Sequence, residues 1–300
     1  MSRFGPVVTA MITPMRDSGA VDYDEAGRLA AWLCERGTTG LVIAGTTGES
    51  PTLSDEEKLR LFVAVAQAVR GKAKVIANTG GNDTHHSVEL SKKAEQCGVD
   101  ALLLVGPYYN KPPQAGLIEH FTAIADAVKT PIAIYNIPGR TAVNILPDTI
   151  VSLSKHPLIV AVKESSGDLM QIAEIIARVA PDFDVYSGDD HLTLPIAAIG
   201  GRGIVSVISH VAGEDVRAML DAFQAGDSGR AAALHAKLLP LCKALFAVTS
   251  PIPVKAAMRR FGFATGRCRP PLCPLNAEQE RALDAAIAPW LRTLAAAPAR

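Results

Sequence analysis

The chain has 300 residues, 48% of them hydrophobic, and its 30 Lys+Arg balance its 30 Asp+Glu to a formal net charge of zero. It can bury a sizeable core in one large domain or two ordinary ones. The balance leaves no basic field for nucleic acid or an anionic membrane, which points to a small-molecule enzyme or a neutral binding protein. The five cysteines, Cys34, Cys97, Cys242, Cys268 and Cys273, form no Cys-x-x-Cys pair. They read as core residues or free thiols of a reducing compartment. Residues 7–15 are apolar but short and broken by Thr9, Thr13 and Pro14, unlike a signal peptide. No run approaches the roughly 18 apolar residues of a membrane span. A cytoplasmic protein is expected.

Short apolar runs alternate with helix-period segments along most of the chain. Strands are predicted at 7–11, 41–44, 74–78, 101–105, 132–135, 159–163, 184–187 and 204–207. Helices are predicted between them at 23–36, 55–69, 84–96, 117–128, 146–153, 169–179 and 192–199. Ser54-Asp55-Glu56-Glu57 fits a capping box, and Pro147 and Asp148 suit a first turn. Strands alternating with helices imply parallel pairing through right-handed crossovers. Eight such units over about 210 residues fit a (β/α)8 TIM barrel better than an open sheet. After Gly213 the pattern is helical only, at 215–224, 230–247, 253–261 and 277–296, with an Arg/Cys/Pro-rich loop at 265–274. The first of these helices closes the barrel. The expected division is a barrel over 1–226 and a C-terminal helical region over 227–300, whose Ala-rich tail frays.

A barrel of this kind keeps its chemistry at the C-terminal ends of its strands. Six of the predicted strands run into polar or glycine-rich segments there: Gly45-Thr46-Thr47-Gly48-Glu49-Ser50, Thr79-Gly80-Gly81-Asn82, Pro107-Tyr108-Tyr109-Asn110, Tyr135-Asn136-Ile137-Pro138-Gly139-Arg140, Lys163-Glu164-Ser165-Ser166 and Ser187-Gly188-Asp189-Asp190. Lys163 stands where its strand leaves the core. Loss of solvent there disfavours an ammonium ion, so the place suits a Schiff-base-forming amine; a lysine that simply snorkels into water is the other reading. The Gly45–Gly48 loop either offers N–H groups and two hydroxyls to a carboxylate or is an ordinary turn before a capped helix. Tyr135 either shuttles protons beside the lysine or is a half-buried aromatic with a solvated hydroxyl. Arg140 either clamps a carboxylate with its planar fork or is solvated. Tyr108 and Tyr109 face opposite ways, one serving the site and one a subunit contact, unless both merely pack. His85 and His86 do not share a helix face, and Asp189-Asp190-His191 has no second cluster beside it, so no metal site is expected. Nothing matches a dinucleotide fingerprint or a P-loop.

Taken together, the segments Gly45–Ser50, Tyr108-Tyr109, Tyr135–Thr141, Val162-Lys163-Glu164 and Ser187–Asp190 resemble those of the dihydrodipicolinate synthases. These belong to the pyruvate-dependent lyase family that also includes N-acetylneuraminate lyase. The likeness runs from the N-terminus to the region of Leu275. It implies a (β/α)8 barrel with a C-terminal helical region, assembled as a homotetramer. It implies a Schiff base between Lys163 and pyruvate, and a proton relay through Tyr135 and Thr46 to Tyr109 of the neighbouring subunit. Thr46 and Thr47 would hold the pyruvate carboxylate, and Arg140 that of L-aspartate 4-semialdehyde. Gly188 and Val205 would line the pocket by their backbones. The reaction implied gives 4-hydroxy-tetrahydrodipicolinate, the first committed step toward diaminopimelate and lysine, with no metal or organic cofactor.

Arg140 and Thr46 separate this chain from the sialic-acid-type lyases, which typically lack that arginine and carry serine in place of the threonine. An aldolase for a 2-keto-3-deoxy sugar acid on the same scaffold is the alternative enzyme. A non-catalytic sensor is a third reading, against which stands the complete set of Lys163, Tyr135, Thr46, Thr47 and Arg140. The chain departs from the family pattern at Asn78, where glycine is common, and at His210, where asparagine is common. Lysine-sensitive relatives commonly have histidines in place of Asp55 and Lys58 and a glutamate in place of His86, although Ser50, Asn82 and Tyr108 are kept. Weak or absent inhibition by lysine is therefore expected.

Overall fold

In the computed structural model, which describes residues 2–295, eight parallel strands close into a barrel in sequence order. They are β1 (Val7–Ala10), β2 (Gly40–Ile43), β3 (Lys74–Asn78), β4 (Ala101–Val105), β5 (Ile132–Asn136), β6 (Ile159–Glu164), β7 (Asp184–Ser187) and β8 (Gly203–Ser206). Closure is made by β1 pairing with β8, with Val8 opposite Val205. Side chains alternate across each strand. One set, including Val8, Val42, Ile76, Leu103, Ala133, Ala161 and Val205, fills the lumen. The other, including Val7, Leu41, Val75, Leu102, Ile134, Val162 and Ile204, packs under the helices. Both faces are buried, which is why the strands read as near-continuous apolar runs rather than as alternation.

The N-terminal end of the lumen is plugged. Phe4 stacks on Tyr186 with centroids 5.9 Å apart, and the Phe4 N–H donates to the Tyr186 hydroxyl at 3.1 Å. The Ser54 cap is the expected reciprocal box: Ser54 Oγ accepts from the Glu57 N–H at 3.2 Å, and Glu57 Oε2 accepts from the Ser54 N–H at 2.9 Å.

The structure differs from the sequence expectation at several element ends. β5 and β6 each run one residue further, because Asn136 and Glu164 continue the ladder in register. Their polarity marks an end in the sequence, but their side chains satisfy each other. A short helix, Pro138–Thr141, follows β5 where none is expected. The expected helix at 192–199 is a turn of 3-10 helix, Asp190–Leu192, followed by Thr193–Ala198. The closing helix starts earlier, at Ser209, and breaks at Ala212 before continuing to Gln224. Beyond it lie Ser228–Leu245, Ile252–Arg260 and Ala277–Ala295. The expectation of a fraying tail concerns residues 296–300, outside the described residues.

The C-terminal helices are tied back to the barrel by polar contacts. Arg269 forks onto Glu57, with Nη1 and Nη2 2.8 and 2.5 Å from its two oxygens. The Trp290 indole donates to Asp215 at 2.8 Å. Among the described residues no helix is long and apolar enough to cross a membrane.

Candidate active site

Parallel register does most of the assembly. Tyr135 on β5 lies opposite Lys163 on β6, and Lys163 lies opposite Tyr186 on β7. Residues paired this way point to the same side of the sheet, here into the lumen. Lys163 Nζ sits 4.0 Å from the centre of the Tyr135 ring. Both residues are buried, at 6% and 4% exposure. Among the described residues Lys163 joins no ion pair, and its amine rests on the aromatic face of Tyr135.

The wall beside the lysine is made by β7. Gly188 donates its N–H to the Glu164 carbonyl at 2.7 Å. A Cβ at this position would overlap Ser165 Oγ and lie 2.9 Å from Lys163 Cε. Any larger residue here would displace Ser165 or the lysine stem. Next to it, burial pushes the Asp189 carboxyl above its ordinary range, and the Lys163 charge opposes that rise.

Glu164 follows Lys163 and faces the opposite way, toward the helices. Burial pushes its carboxyl up, opposed by hydrogen bonds from Asn136, Ser166 and Gln171. Asn136 Nδ2 lies 3.2 and 3.1 Å from its two oxygens, and the Ser166 N–H donates at 2.7 Å. This network clamps the ends of β5 and β6 from outside and so holds Tyr135 and Lys163 together inside.

A cavity of about 230 Å³ opens at the C-terminal strand ends. Thr46, Asn78, Tyr108, Ile137 and Arg140 line it. A larger cavity, about 630 Å³, lies at the opposite end beside Lys74 and Asp100; it holds none of the expected site residues. Arg140 is exposed, and its Nη2 donates to the Ser250 carbonyl at 3.4 Å. Thr47 is buried in the loop beside Thr46. Val205 lies within the lumen.

Tyr109 stands apart. It is 90% exposed, with a left-handed φ of 73°. Within one chain it is Tyr108, at 39% exposure, that lines the cavity.

Sequence reasoning singled out neither Glu164 nor Ser165 nor Asp189 as site residues. Ser165 Oγ is buried with no hydrogen-bond partner beside Gly188. Period-two alternation from Lys163 places Ser165 on the lumen side and could have found it. Asn78 and His210, noted as departures, prove different in kind. Asn78 Nδ2 donates to Ser50 Oγ at 3.2 Å in the cavity wall. His210 is fully buried; its Nε2 accepts from the Ile12 N–H at 3.2 Å, and its Nδ1 donates to the Val207 carbonyl at 2.9 Å. Asp190 accepts from Ser206 Oγ at 2.6 Å and from the Val207 and Ile208 N–H groups at 2.9 and 3.2 Å, so its carboxylate is already committed.

Fold and site together define a class: a (β/α)8 barrel enzyme with a buried, unpaired lysine at the end of its sixth strand. Comparison with known proteins narrows the class. The chain belongs to the dihydrodipicolinate synthetase family, whose sequence model matches residues 3–289. It is 53% identical to a 4-hydroxy-tetrahydrodipicolinate synthase of Cyanothece, over 94% of this chain and 97% of that one. It is similar in structure to a dihydrodipicolinate synthase of Bacillus anthracis, with a TM-score of 0.94 and 47% identity over 96% of this chain and 99% of that one. It is also similar to the lysine-bound enzyme of Cyanidioschyzon merolae, with a TM-score of 0.95 and 45% identity over 96% of this chain and 98% of that one.

Proposed function

We propose that this protein is a 4-hydroxy-tetrahydrodipicolinate synthase, condensing pyruvate with L-aspartate 4-semialdehyde in diaminopimelate and lysine biosynthesis. The observation that carries the reading is the Lys163 amine, unpaired and 4.0 Å from the centre of the Tyr135 ring. Lys163 Nζ attacks the pyruvate ketone, and loss of water leaves an iminium. Tyr135 passes protons during that exchange. The iminium draws electrons from the methyl carbon, which loses a proton to give an enamine. The enamine carbon attacks the aldehyde. The amino group of the second substrate then closes the ring on the former ketone carbon and expels Lys163.

Thr46 and Thr47 hold the pyruvate carboxylate in the Gly45–Gly48 loop. Arg140 receives the second carboxylate; its exposed fork fits a ligand arriving from solvent. Gly188 and Val205 line the pocket. The barrel is assigned to 1–226 and the helical region to 227–300, of which residues 1 and 296–300 lie outside the described residues. Tyr109 belongs to the relay of a neighbouring subunit in a homotetramer, which its exposure and left-handed backbone support. The protein works in the cytoplasm.

The test follows product through a coupled reductase reaction. Turnover should vanish in Lys163→Ala, and the KM for the semialdehyde should rise steeply in Arg140→Ala. Pyruvate trapped on Lys163 by borohydride without turnover would keep the Schiff base and move the reading to a sugar-acid aldolase.

A further inference from the structure

The loop that carries Thr46 and Thr47 is bounded by two residues in the left-handed region, Ala44 at φ 52° and Glu49 at φ 61°. Neither is glycine, so each conformation persists only if its surroundings enforce it. The loop's own hydrogen bonds are few. The Glu49 N–H donates to the Thr46 carbonyl at 3.1 Å and the Ser50 N–H to the Gly45 carbonyl at 3.2 Å. Thr13 Oγ1 donates to the Gly48 carbonyl at 2.7 Å.

The side chain of Glu49 supplies the rest. Its Oε1 lies 2.7 Å from Lys255 Nζ, and both side chains are 1% exposed. Its Oε2 accepts from the Arg269 N–H at 2.7 Å. Lys255 Nζ also donates to the Arg267 carbonyl at 3.1 Å. Lys255 lies on the helix Ile252–Arg260 of the C-terminal region. That helix begins just past Ser250, whose carbonyl accepts from Arg140. One C-terminal segment therefore touches both the loop and the arginine.

A buried ion pair is a poor device for stability, because an apolar pair of the same volume usually does as well or better. What it does that an apolar pair does not is fix a position through directed bonds. We infer that Lys255 is a positioning residue. Through Glu49 it holds the Thr46–Thr47 loop in the geometry that receives the substrate carboxylate. This rests on the functional reading above. The C-terminal region thereby becomes part of the site without touching substrate.

The experiment measures half-saturation by pyruvate in borohydride trapping on Lys163, which needs no second substrate, beside kcat, both KM values and the melting temperature. Lys255→Met alone strands a buried carboxylate and is expected to lower the melting temperature. The double variant Glu49→Gln, Lys255→Met removes both charges and should recover most of it. Its half-saturation by pyruvate should stay raised about tenfold, one charge-assisted hydrogen bond's worth. Its KM for the semialdehyde should stay within about twofold of the parent. Glu49→Asp keeps the charge and the fold but shortens the tether, and should show the same split at about threefold. A double variant or a Glu49→Asp protein with the parent's pyruvate half-saturation would overturn the inference alone. A parent protein that traps no pyruvate would overturn the functional reading, and this inference with it.

Discussion

Gly188→Ala tests whether the lysine needs the space that the glycine leaves. The added methyl meets two groups. Ser165 Oγ has no hydrogen bond to lose and can rotate aside. Lys163 Cε would lie 2.9 Å away, against about 3.5 Å for an ordinary carbon contact. The lysine stem must therefore shift by roughly half an ångström. A displacement of about 1 Å at a reacting group costs about a hundredfold in rate, so a fall of about tenfold in kcat is expected. Overpacking should cost about 1–3 kcal/mol of stability, or about 2–5 °C in a chain of this length. Steady-state kinetics and the rate of borohydride trapping with pyruvate read the first effect; calorimetry reads the second. The double variant Gly188→Ala, Ser165→Gly removes only the serine overlap, so its rate should stay low. Full recovery in that double variant, or a single variant with an unchanged trapping rate, would refute the reasoning.

Other outcomes follow from the same geometry. Burial lowers the pKa of His210 to about 4, whereas an unfolded chain binds that proton near 6.5. Stability should therefore fall as pH drops from about 6.5 toward 4, by up to about 3 kcal/mol from this group. His120, also lowered to about 4, adds the same sign. His210→Asn should flatten part of that slope; equal losses in urea midpoint between pH 7 and pH 5 in parent and variant would contradict it. Glu164→Leu removes the acceptor of the Ser166 N–H and leaves Asn136 and Gln171 to share Asn144 Oδ1; it should destabilise by about 2 kcal/mol, read as a drop of about 3 °C. L-lysine should inhibit weakly or not at all. His86 Nε2 lies 2.8 Å from Asp55 Oδ2 and Lys58 is within electrostatic reach of the same carboxylate, so that carboxylate is already shared and a cationic ligand gains none from the histidine. Half-inhibition below about 1 mM would sink that expectation.

Much of this protein was legible in one dimension. Strands buried on both faces are continuous apolar runs, and the eight of them with intervening helices specify a barrel through local pattern and crossover handedness. Lys163 and Tyr135 could be placed at the C-terminal end of the barrel because each closes such a run, and Thr46 and Arg140 because each follows one within a few residues. Element ends were less legible. Asn136 and Glu164 look like turn residues until they pair with each other across two strands.

What only the tertiary structure decided is contact between segments far apart in the chain. Nothing in residues 45–50 announces that Glu49 meets Lys255 more than two hundred positions later, or that Arg140 reaches the Ser250 carbonyl. Nothing near Gly188 says that its missing Cβ makes room for Lys163. The physical reason is that hydrophobic period and turn chemistry act over a few residues. The site's geometry comes from barrel closure and from the return of the C-terminal helices. Both are set by how whole elements pack, and neither leaves a local mark.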